Sequence, residues 1–415
     1  MRLRFATLLG SLLATGLLVL TGPATAAEPA RSMLNVNYNL DEIGPGDSNL
    51  NSLDLYLPAT NGNRADELRP LVVWIHGGGF ITGDKSNRMT DKAGLFNDLG
   101  YIVASINYRL SPDISENCCT FDPLRVRAPD HISDVAEAVA WLSRNIRTYG
   151  GDPDSIVLIG HSAGAQLVSL AGTSPAWIEG RQVSRKQIIG AVSLDTDTFD
   201  VRSEAADSSP LQARMLAWNA FGTPDEEAIE ARWDRMSPIL HADPSDPEFL
   251  FVTQDKPGRM AANQGMATKL GQDPAASVLG LAYDHETINT MLGSPGDNSV
   301  ETSRVSQFVQ SVVAAAAPAG VKITRRPAKR VVVKVKRKAR KSAIRKIRRK
   351  VTFAFKGTGR ASGFRCRIDK AKFSPCRSAK NYRLKPGSHT FRVRPLYPSG
   401  RPGNEKKVTF RIVRR

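Results

Sequence analysis

The chain has 415 residues, more than one ordinary domain needs, and the length predicts two domains. It carries 58 Lys and Arg against 40 Asp and Glu, but residues 321–415 hold 34 of those basic residues and only two of the acidic ones. This division excludes a single uniform domain, and it places a boundary at the sequence SVVAAAAPAG (311–320), which predicts a linker.

The first 26 residues have the pattern of an export signal. Arg2 and Arg4 precede an uncharged apolar run over residues 5–20, and small residues follow as far as Ala26. This pattern predicts a secretory signal peptide over residues 1–26, cleaved after Ala26, with an uncleaved membrane anchor as the alternative. No later run is apolar enough to span a bilayer, so we expect a secreted or cell-surface protein without a transmembrane segment after cleavage.

The four cysteines are interpreted in the light of export, because disulfides persist outside the cytoplasm. Cys366 and Cys376 lie ten residues apart between strand-like segments, which favours a disulfide. Cys118 and Cys119 are adjacent, and the sequence leaves open whether they are bridged or free. No His and Cys spacing indicates zinc, and no metal is predicted.

Residues 31–317 alternate strand patterns with helix patterns. Apolar residues recur at helical spacing in RAPDHISDVAEAVAWLSRNIRTYG. Strands are predicted, in chain order, in NSLDLYLPA, PLVVWIHGGG, YIVASINYRL, SIVLIG, QIIGAVSLD, EFLFVTQD and ASVLGLAYD. This order predicts an α/β fold whose mostly parallel sheet has helices on both faces, in a domain over residues 27–317.

The strand SIVLIG runs into Gly160-His161-Ser162-Ala163-Gly164 and then into a predicted helix. The two glycines leave room where side chains would collide with the neighbouring strand and helix. The tight turn would hold the Ser162 hydroxyl out at the carboxyl end of the sheet. The G-x-S-x-G pattern in this context predicts a nucleophile elbow.

The sequence HGGGF (76–80) follows another buried strand, and a flexible turn is its alternative interpretation. Glycines let backbone N–H groups approach a developing oxyanion closely, so we expect an oxyanion hole from Gly78, Gly79 and Ala163. The general base is predicted to be His285, which follows the last strand of this region. Structural roles are predicted for the other histidines of the region: His76, His131, His161 and His241.

With NYRLSP, YGGDPDSIVLIGHSAGAQL and SPILH, these motifs resemble the α/β-hydrolases of the esterase and lipase group that carry HGGG and GHSAG. The resemblance covers roughly residues 34–313. Within the group the chain is most similar to the feruloyl-esterase and kynurenine-formamidase-like carboxylesterases. It implies Ser162 as nucleophile, His285 as base and the glycines at 78–79 as oxyanion donors, without a cofactor or metal.

The acid of the expected triad is where the sequence departs from this family. The family spacing places the acid near Pro257, which cannot serve, so Asp255 two residues earlier is the predicted acid. Three aspartates after the preceding strand are alternatives: Asp195, Asp197 and Asp200. Asp284 adjoins His285 and is expected to point elsewhere.

The basic region is predicted to contain a linker and basic segment (318–350) and a small β-sandwich (351–415). KRVVVKVKRK has a strand pattern with one charged face, and later segments alternate in the same way between turn residues. Residues 351–413 resemble an Ig-like module of bacterial secreted proteins, in which His389 would be structural. The charge predicts binding of an anionic cell-surface polymer, whereas a solvated face is the alternative. Specific nucleic-acid recognition is disfavoured because aromatic residues are few.

Together these features predict a secreted serine hydrolase that cleaves short-chain or carbohydrate-linked carboxylic esters. One alternative is a hydrolase body without activity that serves as a wall-binding protein. Another is an amide or formamide hydrolase with the same nucleophile.

Overall fold

A computed structural model describes residues 30–38, 49–59, 68–113, 121–122, 124–207, 211–335 and 347–415. The predicted signal peptide and the pair Cys118 and Cys119 lie outside these residues. None of the helices within them has both the length and the apolar character required to cross a membrane.

The first part of the described chain is built on an eight-stranded sheet with the strand order β1-β2-β4-β3-β5-β6-β7-β8. β1 and β2 pair antiparallel, β2 also pairs antiparallel with β4, and the remaining neighbours are parallel. The strands are β1 (Arg31–Asn37), β2 (Ser52–Leu57), β3 (Arg69–Ile75), β4 (Ile102–Ile106), β5 (Gly151–His161), β6 (Ile188–Leu194), β7 (Glu248–Gln254) and β8 (Val278–Leu281). The predicted mostly parallel sheet is therefore confirmed.

Helices cover both faces of this sheet. They are α1 (Met89–Asp98), α2 (Asp130–Asn145), α3 (Ala163–Thr173), α4 (Pro175–Glu179), α5 (Val201–Asp207), α6 (Leu211–Phe221), α7 (Ile229–Met236), α8 (Pro238–His241), α9 (Pro257–Lys269), α10 (Pro274–Ser277), α11 (His285–Met291) and α12 (Glu301–Ala315). Side chains alternate across a strand, so Leu71 and Val73 of β3 join the core under α2 and α3. Trp74 of the same strand joins the core under α1 and α12. All residues of β5 are buried, which explains the continuous apolar run in its sequence.

The second part, called the β module below, consists of two sheets that share one core. The five-stranded sheet has the order β10-β16-β15-β12-β13 and the three-stranded sheet the order β14-β11-β9. Their strands are β9 (Gly320–Arg325), β10 (Arg330–Val333), β11 (Arg349–Thr358), β12 (Gly363–Ile368), β13 (Ser374–Pro375), β14 (Lys380–Leu384), β15 (Gly387–Leu396) and β16 (Lys406–Arg414). The rings of Phe353 and Phe391 stack across the core with centroids 4.0 Å apart. The predicted disulfide between Cys366 and Cys376 is present.

The predicted linkers need correction. α12 continues to Ala315, so half of the predicted linker at 311–320 is helical. β9 and β10 lie within residues 318–350 and belong to the two sheets of the β module. The alternating Val residues of these strands face the shared core despite the flanking charges, as Val321 and Val331 do. The Ig-like assignment of the β module stays a prediction.

The two parts contact each other at the start of β5. The carboxylate of Asp154 accepts hydrogen bonds from the amide and the hydroxyl of Ser399, each at 2.8 Å. Arg401 donates to Asp152 at 2.9 Å, and Arg360 forms an ion pair with the same carboxylate. Two acidic residues of the body thus hold two arginines of the β module.

Candidate active site

The turn between β5 and α3 exposes Ser162. Ser162 has φ 55° and ψ −120°, a conformation that L-residues rarely adopt. A Cβ on Gly160 would collide with the carbonyl of Gly164, and a Cβ on Gly164 would collide with the carbonyl oxygen of Ile75 at the end of β3. The glycines are therefore required by the close approach of helix and strand, as the sequence predicts.

His285 begins α11, shortly after β8. Its Nε2 lies 2.9 Å from the Oγ of Ser162, within hydrogen-bond distance. The side chain of Asp284 accepts a hydrogen bond from the Thr287 amide at 2.7 Å, so it caps α11 and points away from the ring, as expected. The helix start and its cap fix where the His285 imidazole lies.

Asp195 contacts the other nitrogen of this imidazole. The Nδ1 of His285 lies 2.6 Å from Oδ2 of Asp195, and the Asp195 side chain is fully buried. The side-chain amide of Gln254 donates to the same oxygen at 2.8 Å. The Thr253 hydroxyl and the Gln254 backbone amide donate to Oδ1 at 2.8 and 2.9 Å. With Arg259 at 3.3 Å, five groups from four residues hold this carboxylate in place.

These contacts keep Asp195 ionised. Burial acts to raise the pKa of its carboxyl group, but the hydrogen bonds from His285 and Gln254 and the charge of Arg259 outweigh burial. The net result is a pKa well below the ordinary value for aspartate. A buried carboxylate that stays charged can stabilise a positive imidazolium beside it.

The expectation that Asp255 is the partner of His285 is corrected by this geometry. Asp255 is exposed, and its side chain lies beside Gly280, whereas Asp195 occupies the place expected of it. Asp195 follows β6, which is the direct neighbour of β5 in the sheet. It therefore lies close to the end of β5, where His285 contacts Ser162.

The other two alternative aspartates lie apart from the ring. Asp197 pairs with Arg259 at 3.6 Å, and Asp200 accepts hydrogen bonds from Arg202 and Ser203 at the start of α5. The sequence shows that Asp195 directly follows a buried strand, but only the sheet shows that this strand lies next to the strand of the nucleophile.

The HGGG loop lies directly against the nucleophile. A Cβ on Gly77 would lie 3.0 Å from the Cβ of Ser162. Gly78 and Gly79 have φ 113° and 59°, and the carbonyl of Gly78 accepts hydrogen bonds from the amides of Ile81 and Thr82. The loop is therefore an ordered turn rather than a flexible one. The loop thus packs against the residue that precedes Ala163, whose amide opens α3, where helix N–H groups have no helical acceptor.

Two of the remaining histidines support this site. Burial, followed by the charge of the His285 ring, lowers the pKa of His161 to about 3. The neutral ring of His161 then donates from Nε2 to the backbone carbonyl of His285 at 2.9 Å. His76 stacks on Tyr108 with centroids 4.5 Å apart, and the Tyr108 hydroxyl donates to the His76 carbonyl. These contacts brace the strand ends that carry Ser162 and the glycine loop.

His131 and His241 lie in structural environments. His131 is buried and lies 3.0 Å from the hydroxyl of Ser111, and burial lowers its pKa to about 3. His241 contacts the backbone carbonyl of Arg235 at 3.1 Å.

His161, His285 and Glu286 bring potential metal-ligand atoms within 4.8 Å of one another. Both nitrogens of His285 already contact Asp195 and Ser162, and Nε2 of His161 contacts a carbonyl. A metal ion here would have to displace these hydrogen bonds, so the donor set fits acid–base chemistry better than metal binding.

Comparisons with known sequences show esterases among the relatives. Residues over 44% of this chain are 41% identical to a probable carboxylic ester hydrolase, LipM, from Mycobacterium tuberculosis, over 40% of that protein. The chain is also 30% identical to phenmedipham hydrolase from Pseudarthrobacter oxydans, over 46% of this chain and 35% of that protein. The chain thus spans well under two thirds of the length of these curated relatives.

Solved structures show the same fold. Esterase B from Lactobacillus rhamnosis matches 69% of this chain and 88% of its own with a TM-score of 0.52 and 20% identity. A truncated carbohydrate esterase from gut microbiota matches 68% of this chain and 96% of its own with a TM-score of 0.51 and 18% identity. The family model BD-FAE matches residues 53–269, which include Ser162, Asp195 and the glycine loop. With this match over more than half of its length, and with the fold described above, the chain belongs to the BD-FAE family of α/β-hydrolases.

Proposed function

We propose that the protein is a serine hydrolase that cleaves carboxylic esters by acyl transfer. One observation carries the proposal, namely the continuous hydrogen-bond chain from Ser162 through His285 to Asp195. A serine hydroxyl is a poor nucleophile alone, and a base in contact with it, itself oriented by a third group, is the arrangement that activates it. The relatives, which include a para-nitrobenzyl esterase and a probable carboxylic ester hydrolase, support the same reaction.

In the first half of the reaction, His285 Nε2 takes the proton of Ser162 as Oγ attacks the ester carbonyl. Asp195 stabilises the imidazolium that forms and keeps its Nδ1 proton directed at the carboxylate. His285 then gives the proton to the leaving alcohol. In the second half, water attacks the acyl-enzyme with His285 again as base, and the acid and Ser162 are released.

The oxyanion of each tetrahedral intermediate would be held by backbone amides. Gly78, Gly79 and Ala163 are the proposed donors, because the glycine loop packs against Ser162 and Ala163 opens α3. Donors fixed in place before the reaction need no reorganisation when charge develops. The loss of one such donor typically slows a reaction by about 10²–10³-fold.

We propose short-chain or carbohydrate-linked esters as the substrate class. An activity series with p-nitrophenyl acetate, butyrate and octanoate is expected to fall with chain length. Ser162→Ala should remove the activity at unchanged stability. If the wild-type protein hydrolyses none of these esters, the proposal fails and an inactive body that serves binding remains. An aryl formamide tested beside the matching aryl formate distinguishes amide from ester preference.

We further propose that the protein is exported by residues 1–26 and that the β module attaches it to an anionic polymer at the cell surface. The charge of residues 321–415 supports attachment. Mass spectrometry of the secreted protein is expected to find Ala27 at the mature N-terminus, and detection of the intact Met1 would contradict export by cleavage.

A further inference from the structure

The outer surface of the five-stranded sheet of the β module is lined with cations. Inward-facing residues of its strands are buried, among them Phe391 and Val393 of β15, and the residues that alternate with them face outward. The outward residues that carry charge on three adjacent strands, together called the arginine face, are Arg365, Arg367, Arg392, Arg394, Lys407 and Arg411.

The sheet register places these charges directly opposite one another. Arg365 pairs with Arg394 and Arg367 with Arg392 across β12 and β15. Arg392 also pairs with Lys407 across β15 and β16. Like charges in directly opposite positions destabilise a sheet, so this arrangement does not contribute to the stability of the fold.

The β module has few carboxylates with which to balance these charges. Residues 321–415 contain only Asp369 and Glu405. Asp369 accepts from His389 Nδ1 at 2.7 Å and from the Thr390 amide at 2.8 Å, so it is engaged beside the turn. Glu405 is the acid that contacts the arginine face.

Glu405 shows how a carboxylate is held on this face. One of its oxygens pairs with Arg392, and the other accepts from Nε of Arg394 at 3.2 Å. The two arginines are two residues apart on one strand, so a single carboxylate bridges them. Arg365 and Arg367 repeat that spacing on the neighbouring strand β12.

The β12 pair has donor capacity left. Neither Arg365 nor Arg367 forms an ion pair among the described residues, whereas Arg392 and Arg394 both pair with Glu405. The ring of Phe373 stacks against the guanidinium groups of Arg367 and Arg394, with distances of 4.6 and 4.2 Å to the ring centroid. This stacking restricts the two side chains, so less conformational entropy is lost when an anion binds.

We propose that the arginine face binds a carboxylated polysaccharide, with sugar carboxylates bridging arginines two apart on a strand as Glu405 does. The carboxylate is the anion that the face already holds, and the guanidinium fork matches its two oxygens. Neighbouring strands lie about 4.8 Å apart, so a polymer with many carboxylates can engage several arginines at once. Nucleic acid fits less well, because the Phe373 ring already stacks with two guanidinium groups that a base would have to displace.

The inference deepens the proposed attachment to an anionic polymer and is independent of ester hydrolysis. It is tested with full-length Ser162→Ala protein binding to polygalacturonate at physiological salt, measured by calorimetry. Arg365→Gln with Arg367→Gln is expected to weaken binding by about tenfold, because charge-assisted hydrogen bonds are lost. Fully methyl-esterified polygalacturonate, which lacks the charges, should not bind.

A matched control removes the same charge elsewhere. Lys356→Gln with Arg383→Gln alters exposed residues of the three-stranded sheet and should change the dissociation constant by less than about twofold. Equal weakening by both double variants would mean unspecific attraction and would overturn the proposal. So would equal or tighter binding of poly(glycerol phosphate) or DNA through the same arginines.

Arg365→Lys keeps the charge and removes the fork, and it should weaken binding of polygalacturonate with little change in unfolding temperature. This variant keeps the test decisive if the double variant folds poorly. Undiminished binding by Arg365→Lys would contradict the bridging geometry. Because binding is measured without turnover, loss of this inference leaves the esterase proposal standing, and an inactive wild-type protein leaves this inference standing.

Discussion

The hydrolase body and the β module place their charged residues in opposite ways. Several buried charges of the body have partners of opposite charge, as where Lys85 lies 3.2 Å from Asp54 with both side chains almost fully buried. In the β module, cations stand opposite other cations on an outer face. Charged residues of the body therefore hold buried groups in position, whereas those of the module are exposed to solvent. Substitution of a charged residue should have a large effect in the body and a small effect on stability in the module.

The largest effect is expected at the buried carboxylate of the site. Asp195→Asn keeps the shape but removes the charge that stabilises the His285 imidazolium, so kcat for p-nitrophenyl acetate should fall by about 10³-fold or more. Asp255→Asn, the matched control on an exposed residue, should stay within about twofold. A comparable loss in both variants would show that Asp195 has no special role.

A second prediction concerns Glu301, which is buried at the start of α12. Burial, and then the charge of Asp297, raises the pKa of Glu301 to about 9 from an ordinary 4.5. Between pH 5 and 7.5 the folded chain therefore keeps a proton that the unfolded chain releases. The free energy of unfolding should fall by up to about 1.4 kcal/mol for each unit by which the pH rises. Glu301→Gln should flatten this slope in urea unfolding experiments. An unchanged slope would mean that Glu301 is ionised in the folded chain.

The contact between the two parts offers a third prediction. Asp154→Ala removes a buried carboxylate that binds Ser399 and Arg401, and we expect a loss of about 1–3 kcal/mol in the stability of the docked arrangement. Limited proteolysis within residues 316–319 should become faster. High salt should accelerate this cleavage less in the variant than in the wild type. Glu179→Ala, on an exposed residue of the body, is the control and should leave the digestion pattern unchanged.

The smallest effect is expected on the arginine face. Arg365→Gln removes a charge directly opposite Arg394, so the free energy of unfolding should stay within about 0.5 kcal/mol of the wild type or rise slightly. Thermal unfolding at low salt measures it best, because screening is weakest there. A loss of more than about 1 kcal/mol would show that the face contributes to the fold and would remove the contrast with the body.

Much of the body could be predicted from the sequence because its signals are local. The apolar runs of β3 and β5 follow from burial on both faces, and the glycines around Ser162 follow from a turn between a strand and a helix. His285 could be placed because it follows the last strand. The contact between Ser162 and His285 agrees with this placement.

The aspartate that contacts His285 could not be predicted from the sequence in the same way. Spacing along the chain favoured Asp255, whereas the contact depends on which strand lies next to β5, and strand order is a property of the sheet. The boundary of the β module was also misplaced. The dense charge of residues 318–350 indicated a linker, but β9 and β10 contribute one apolar face each to a core formed by distant strands.

The docking of the β module at Asp152 and Asp154 has a consequence for how a polymer-bound molecule would work. These residues lie at the beginning of β5, and Ser162 follows its end. About 25 Å of extended strand therefore separates Asp154 from Ser162. A molecule whose β module holds a polymer would thus keep Ser162 at the far end of β5 from the contact between its two parts.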